Sequence, residues 1–235
     1  MTSLEAITFT DKYYLEYTLN LLASIDKNKS EIQLCIYCSD EESFDYLKKG
    51  GHKALLIENK NFNNYKLQSW SAGKNDFGKT MINKFKSIYD ALNKSDLVLY
   101  LDGDIVVKKN FTRLLLDKVQ NNDFLFQLDF NPKKAIQEDL CAGFMLIKSN
   151  KNTIEIFNPN ETKVEEIIKL PSHDQSYLNL NKNNFQYKFL SSYHYPNGAY
   201  YLNYVTDPYI IHFNYLVGNS KKKFMKRYGE WYLEK

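Results

Sequence analysis

A chain of 235 residues with 43% hydrophobic and 25% charged side chains suits one soluble globular domain with a full core. A formal net charge of +3 at pH 7 gives no electrostatic case for nucleic acid as a partner. No apolar run approaches the roughly 18 residues needed to span a membrane. With no basic-then-apolar leader and three cysteines that require no disulfide, the expectation is a soluble, cytoplasmic protein in a reducing compartment.

In chain order, Leu4–Thr10 reads as a mixed apolar and β-branched strand, and Thr10 and Asp11 supply caps for a following helix. Leu15, Leu19, Leu22 and Ile25 then fall on one helix face. Ile32–Tyr37 is the next strand, and Cys35 and Cys38, three residues apart, point to opposite sides as small core residues. Ser39 and Glu42 form a capping box for a short helix that ends at Gly50-Gly51. Lys53–Glu58 is a third strand, and polar Asn59–Lys79, with Trp70, Gly73 and Gly78, is a long loop of the kind that carries function. Met81, Ile82, Phe85, Ile88, Tyr89 and Leu92 mark an amphipathic helix.

That helix leads into the stretch on which the chain is organised, S-D-L-V-L-Y-L-D-G-D-I-V-V from Ser95 to Val107. Leu97–Leu101 is apolar without alternation, as in a strand buried on both faces of a parallel sheet. It stops at Asp102-Gly103-Asp104, at the strand end where open α/β sheets bind ligands. Two carboxylates at i and i+2 of an extended segment point the same way and converge on one hard divalent cation, with Gly103 allowing a tight turn and a close ligand. A surface turn is the plainer reading of the same tripeptide.

Beyond Asp104 the pattern loosens. A short helix is predicted at Phe111–Lys118, strands at Phe124–Phe130 and Gly143–Ile147, and a helix at Glu161–Leu170 closed by Pro171. Ser172 caps a helix carrying His173, Asp174 and Gln175. Pro196-Asn197-Gly198 is a turn, Ala199–Tyr204 and Pro208–Phe213 are strand-like, and Lys221–Arg227 is a basic helix. The fold class expected is α/β: one domain over 1–235 with a mostly parallel, Rossmann-like sheet flanked by helices. Residues 1–107 form its nucleotide-binding half and 108–235 an α+β elaboration carrying acceptor specificity.

These residues together resemble the nucleotide-diphospho-sugar transferases of GT-A fold, in particular the plant cell-wall xylosyl-, arabinosyl- and galactosyltransferase group. The likeness extends more distantly to glycogenin and the lipopolysaccharide galactosyltransferases. Five features carry the resemblance in family order. They are Thr8-Phe9-Thr10, the Asp-x-Asp motif Asp102-Gly103-Asp104, Cys141-Ala142-Gly143-Phe144, Asp174-Gln175, and the tail I-I-H-F-N-Y-L-V-G-N-S-K-K-K before Trp231.

The resemblance implies roles. Asp102, Asp104 and His212 match the family's metal triad, and an imidazole among them favours Mn²⁺ over Mg²⁺. Gly218 and one of Lys221 and Lys222 match the diphosphate-binding glycine and lysine, and Lys84 falls where a basic residue meets donor sugar or phosphate. Thr8, Phe9 and Thr10 would meet base and ribose, with Tyr13 or Tyr14 stacking on a uracil. Asp129 would face donor sugar or acceptor, and Asp174 and Gln175 the anomeric carbon. Cys141 departs from the Asn or Asp usual before the small-Gly pair. Each residue has a structural alternative: a packed His212, a solvated basic face for Lys221–Arg227, an exposed helix Lys84, core tyrosines, a turn-forming Asp129, a dipole-stabilised Asp174.

The activity implied is metal-assisted transfer of a hexose or pentose from a UDP-sugar to a hydroxyl of a glycan or glycoconjugate, with retention of configuration. Inversion with Asp129 as general base is the neighbouring alternative. A dehalogenase-type phosphatase using Asp102 and Asp104, and a non-catalytic sugar-nucleotide binder, are the alternatives from other classes. A monomer or dimer is expected, with peripheral membrane contact through Lys221–Arg227 as a further option.

Overall fold

The computed structural model describes residues 3–57, 75–171, 173–214, 216 and 218–233. Its framework is a seven-stranded sheet made of β1 (Leu4–Thr10), β2 (Leu34–Cys38), β3 (Ala54–Leu56), β4 (Leu97–Leu101), β6 (Phe124–Leu128), β7 (Leu140–Lys148) and β8 (Tyr187–Phe189). The strands lie in the order β3-β2-β1-β4-β7-β6-β8. The first four are mutually parallel, β7 runs antiparallel to both β4 and β6, and β8 is parallel to β6. Strands from both halves of the sequence therefore share one sheet. The expectation of a mostly parallel α/β sheet flanked by helices is borne out.

Helices cover both faces. The helices α1 (Leu15–Lys27), α2 (Glu41–Lys49) and α4 (Thr112–Val119) bury Leu21, Ile25, Leu47 and Leu115 against one face. On the other face, α3 (Asn75–Leu92), α5 (Lys151–Phe157), α6 (Glu161–Lys169) and α7 (His173–Leu180) bury Ile82, Phe85, Ile88, Phe157, Ile167 and Tyr177. Successive strand residues alternate between these layers, and Cys38 and Cys35 lie on opposite faces as free, buried thiols.

A second, two-stranded ribbon pairs β5 (Ile105–Val107) with β9 (Ile210–His212), antiparallel. It packs Val106, Ile211 and Phe213 against Met225 of α9 (Asn219–Arg227) and against Trp231.

Several local readings change. The cap of α2 is Asp40, not Ser39: its carboxylate accepts from the Ser43 backbone N–H at 2.8 Å. The Ser172 cap and residues 59–74 of the long loop lie outside the described residues. From Asn75 the chain is already helical, six residues before Met81. Ala199–Tyr204 is not a strand, because Asn197 accepts from the Tyr200 N–H and caps a helix, α8 (Gly198–Asn203). The strand expected to begin at Gly143 starts at Leu140. The seven-residue α5 and the three-residue β8 are too short to show a period and were not expected from sequence.

Candidate functional site

The order of strands reverses between β1 and β4, which turns the crevice at their carboxyl ends into the expected place for a ligand. α1 leaves β1 on one face, and α3 reaches β4 from the other. The main cleft of the described structure opens there. Its walls include Phe9, Asp11, Tyr13, Tyr14, Lys84, Asp102, Gly103, Asp104, Gly143, Asp174, Gln175, His212, Asn214, Gly218 and Lys221.

The acidic pair is delivered by β4 and the turn after it, and the histidine by β9, whose His212 stands opposite Ile105. The short ribbon is thus what unites residues distant in sequence. Nε2 of His212 lies 3.3 Å from Oδ1 of Asp104 and 3.7 Å from Oδ2 of Asp102. Ligand atoms of the three residues all fall within 4.8 Å of one another. Nε2 of His212 and Oδ1 of Asp104 are both buried without a hydrogen-bond partner. Two buried ligand atoms with no hydrogen-bond partner, aimed at one point, fit a divalent cation. Gly143 makes room for it, because a Cβ there would sit 2.1 Å from Cε1 of His212 and 2.4 Å from Oδ2 of Asp102.

Charge is balanced around this point. Lys221 on the first turn of α9 pairs with Asp104 and donates to the Tyr14 hydroxyl at 2.8 Å. Lys84 of α3 pairs with Asp174 at 2.8 Å and with Asp102 at 3.3 Å, and the Tyr100 hydroxyl donates to Asp102 at 2.8 Å. Burial opposes ionisation of Asp104, but Lys221 and His212 outweigh it and hold the carboxyl well below the usual range. Burial likewise opposes the charge on Lys84, and Asp102 and Asp174 overcome it, keeping the ammonium above its ordinary value. Burial would lower His212, yet the Cys141 sulfur and the Asp104 carboxylate raise it to about 10. Metal binding would then displace a proton from Nε2.

The sequence-predicted residues divide into two groups. Phe9, Tyr14, Lys84, Asp102, Gly103, Asp104, Asp174, Gln175, His212, Gly218 and Lys221 line the cleft. Thr8 and Thr10 are buried in β1, with the Thr10 hydroxyl 3.0 Å from that of Thr18, and neither lines the cleft. Lys222 pairs with Glu16 and lies over the Trp231 ring at 4.8 Å, so Lys221 is the lysine that faces the cleft. Asp129 stands behind Gln175, and its carboxylate accepts three side-chain amides: Gln175 at 2.8 Å, Asn214 at 3.0 Å and Asn197 at 3.1 Å. Lys223, Lys226 and Arg227 lie on the outer face of α9.

Asp11 entered the sequence reading only as a cap. Neither it nor Thr10 caps α1, whose N-cap is Tyr14 with no side-chain bond. The Asp11 carboxylate accepts from the Tyr13 and Tyr14 N–H groups at 2.9 Å in the turn before the helix, and it also lines the cleft. Asn197, Asn214 and Tyr100 were not singled out at all. The signal for Tyr100 was a phenol two residues before Asp102 in an otherwise aliphatic strand. The two asparagines carried none beyond their places in the turn and the tail.

Residues 33–225 match the family model for nucleotide-diphospho-sugar transferases. A curated relative, the UDP-galactose:fucoside alpha-3-galactosyltransferase of Dictyostelium discoideum, is 26% identical across 94% of this chain and 42% of its own. The chain thus spans less than half of that relative's length. Among solved structures, the galactosyltransferase LgtC, in complex with donor and acceptor sugar analogues, superposes with a TM-score of 0.65 over 98% of this chain and 97% of its own, at 15% identity. Mouse xyloside xylosyltransferase 1 gives a TM-score of 0.59 over 90% and 98%, at 11% identity. No described helix is long and apolar enough to cross a membrane. With the family matched through the cleft and the sheet shared with LgtC, the chain belongs to the nucleotide-diphospho-sugar transferase family and has the GT-A fold.

Proposed function

We propose that this protein transfers a hexosyl or pentosyl group from a UDP-sugar to a hydroxyl of a glycan or other acceptor, with Mn²⁺ held by Asp102, Asp104 and His212. The observation that carries this reading is the convergence of those three side chains, two of them through buried atoms that make no hydrogen bond, at the β1–β4 crevice. The bound cation would supply Lewis acidity toward the diphosphate. Family membership replaces the phosphatase alternative, and the paired Lys84–Asp174 and Lys221–Asp104 arrangement is more than a passive binder needs.

The chain's own residues then divide the work. Phe9, Asp11 and the half-open ring of Tyr13 wall the base end, while the Tyr14 hydroxyl is committed to Lys221. Lys221 and the amino end of α9 face the diphosphate, where positive charge stabilises the leaving group. Gly218, at φ 57°, turns the chain into α9 and is joined to α1 through Tyr17. Residues 1–107 thus supply the base end and two of the three metal ligands, while 108–235 supply His212, Lys221 and the sugar and acceptor side.

Retention fits this site better than inversion. Both oxygens of Asp129 are occupied by amide donors, which leaves it poor both as a nucleophile and as a general base. Lys84 ties up Asp174 in the same way. Attack of the acceptor on the face the diphosphate leaves, with the departing oxygen taking the acceptor proton, requires neither carboxylate to be free. Gln175 and Asp174 line the anomeric position, and Asp129 holds Gln175 there. Peripheral contact with an anionic membrane through Lys223, Lys226 and Arg227 is part of the same proposal.

A screen of UDP-sugars with Mn²⁺ tests it, reading sugar release to water and the anomeric configuration of the product by NMR. An α product from an α-linked donor supports the reading, and a β product overturns the retaining part.

A further inference from the structure

His212 could face the cleft with either ring nitrogen carrying the proton, and only one choice gives a metal ligand. The choice is made behind it, by Gln127. This side chain is fully buried in β6 and does not line the cleft. Its Nε2 donates to the backbone carbonyl of Tyr195 at 3.1 Å. A carbonyl only accepts, so the amide is fixed with Oε1 turned the other way, toward Nδ1 of His212 at 2.8 Å. Oε1 also only accepts, so Nδ1 carries its proton permanently and Nε2 is the nitrogen that can offer a lone pair. Nε2 is the bare atom beside Asp104.

The backbone is shaped for this arrangement. Register slips between Phe126 and Gln127: Phe126 pairs with Met145 but Gln127 pairs with Cys141, leaving Ala142, Gly143 and Phe144 without partners on β6. That bulge puts Gly143 against the triad and Gln127 beneath it. A buried glutamine in a run of Phe, Leu and Phe costs stability unless its amide is fully used, and here both ends are used.

We propose that Gln127 is the positioning residue of the metal centre, locking His212 in the tautomer that presents Nε2 to the cation. This rests on the metal reading above. Outer-shell partners of metal-bound histidines are commonly worth about 10–100-fold in metal affinity. Cys141 Sγ, 3.5 Å from the same Nδ1, is a far weaker acceptor than an amide oxygen and does not substitute for it.

The test is titration of MnCl₂ into wild type, Gln127→Met and Gln127→Glu, each in the presence of the same excess of UDP, following free Mn²⁺ by electron paramagnetic resonance against a UDP-only control. Thermal melting is measured in parallel. Methionine keeps the volume without the acceptor, and glutamate keeps an acceptor against Nδ1. We expect the methionine variant to lose on the order of 10–100-fold in Mn²⁺ affinity while still melting cooperatively as a folded protein. The glutamate variant should bind Mn²⁺ at least about tenfold more tightly than the methionine variant. Equal Mn²⁺ affinity in wild type and Gln127→Met overturns the inference, and so does equal loss in both variants. Absence of Mn²⁺ binding in wild type overturns the metal reading itself and is seen before any variant is compared.

Discussion

Nε2 of His212 and Oδ1 of Asp104 stand 3.3 Å apart, both buried and neither hydrogen-bonded. The β5–β9 ribbon creates this encounter by setting His212 opposite Ile105, one residue past Asp104. The other oxygen of Asp104 is taken by Lys221. One carboxylate thus links Lys221 of α9 to His212 of β9.

Asp104→Asn should therefore damage both stability and binding. It leaves the ammonium of Lys221, 5% exposed, without its counter-charge. Breaking a buried pair in this way costs about 3 kcal/mol or more. We expect a clear drop in the urea midpoint together with loss of Mn²⁺ binding. Wild-type stability in this variant would mean that the Lys221–Asp104 pair is not formed in solution.

Gly143→Ala should be worse for the site than for the fold. The new methyl would collide with His212 and Asp102 at 2.1 and 2.4 Å, whereas Gly143 has an ordinary φ. Overpacking of this sort costs about 1–3 kcal/mol, so the variant should fold with a lowered melting temperature and no Mn²⁺ affinity. Full Mn²⁺ affinity in the folded variant would place the cation elsewhere.

Asp129→Asn separates a holding residue from a nucleophile. With Asp129 serving to hold Gln175, Asn197 and Asn214, the variant should lose on the order of 10² in kcat at most and keep the anomeric outcome. Removal of a covalent nucleophile costs about 10⁴ or more. Single-turnover rates on the best donor decide between them.

Asp11 gives a pH signature. Burial pushes its carboxyl up to about 6, against the lowering effect of the Tyr14 and Tyr13 N–H groups. The folded chain then binds a proton more tightly than the unfolded chain, so this residue's contribution to stability is greatest at low pH. It is lost as pH rises from near 4 to near 6, by about 2–3 kcal/mol. Asp11→Asn keeps an oxygen for the turn at Tyr13 and Tyr14 and removes the titration. The difference in unfolding free energy between variant and wild type should rise over that interval in the variant's favour. Parallel curves would contradict the shift.

How far the sequence reveals this molecule depends on how local each cause is. The strand β4 was legible because a doubly buried parallel strand is apolar without alternation, and Asp102 and Asp104 stood out where β4 ends. The strand β1 was legible from its mix of apolar and β-branched residues. Ala199–Tyr204 was misread because its aromatic content suggests a strand, while the deciding interaction is the Asn197 cap. Lys221 and Lys222 are indistinguishable as neighbours in a basic run, and only the docking of α9 turns one to Asp104 and the other to Glu16. Gln127 was visible as a polar break in F-L-F-Q-L, but its role needs a bulge in β7 and a carbonyl at Tyr195. No local pattern encodes those.

The most direct measurement of the central claim is calorimetric titration of UDP into the wild-type protein with Mn²⁺ and with EDTA, repeated on His212→Ala. UDP binding that requires Mn²⁺ and disappears in His212→Ala is the expected result. Equal UDP affinity in Mn²⁺ and in EDTA would contradict the metal triad of Asp102, Asp104 and His212, and no UDP binding in either condition would contradict the donor.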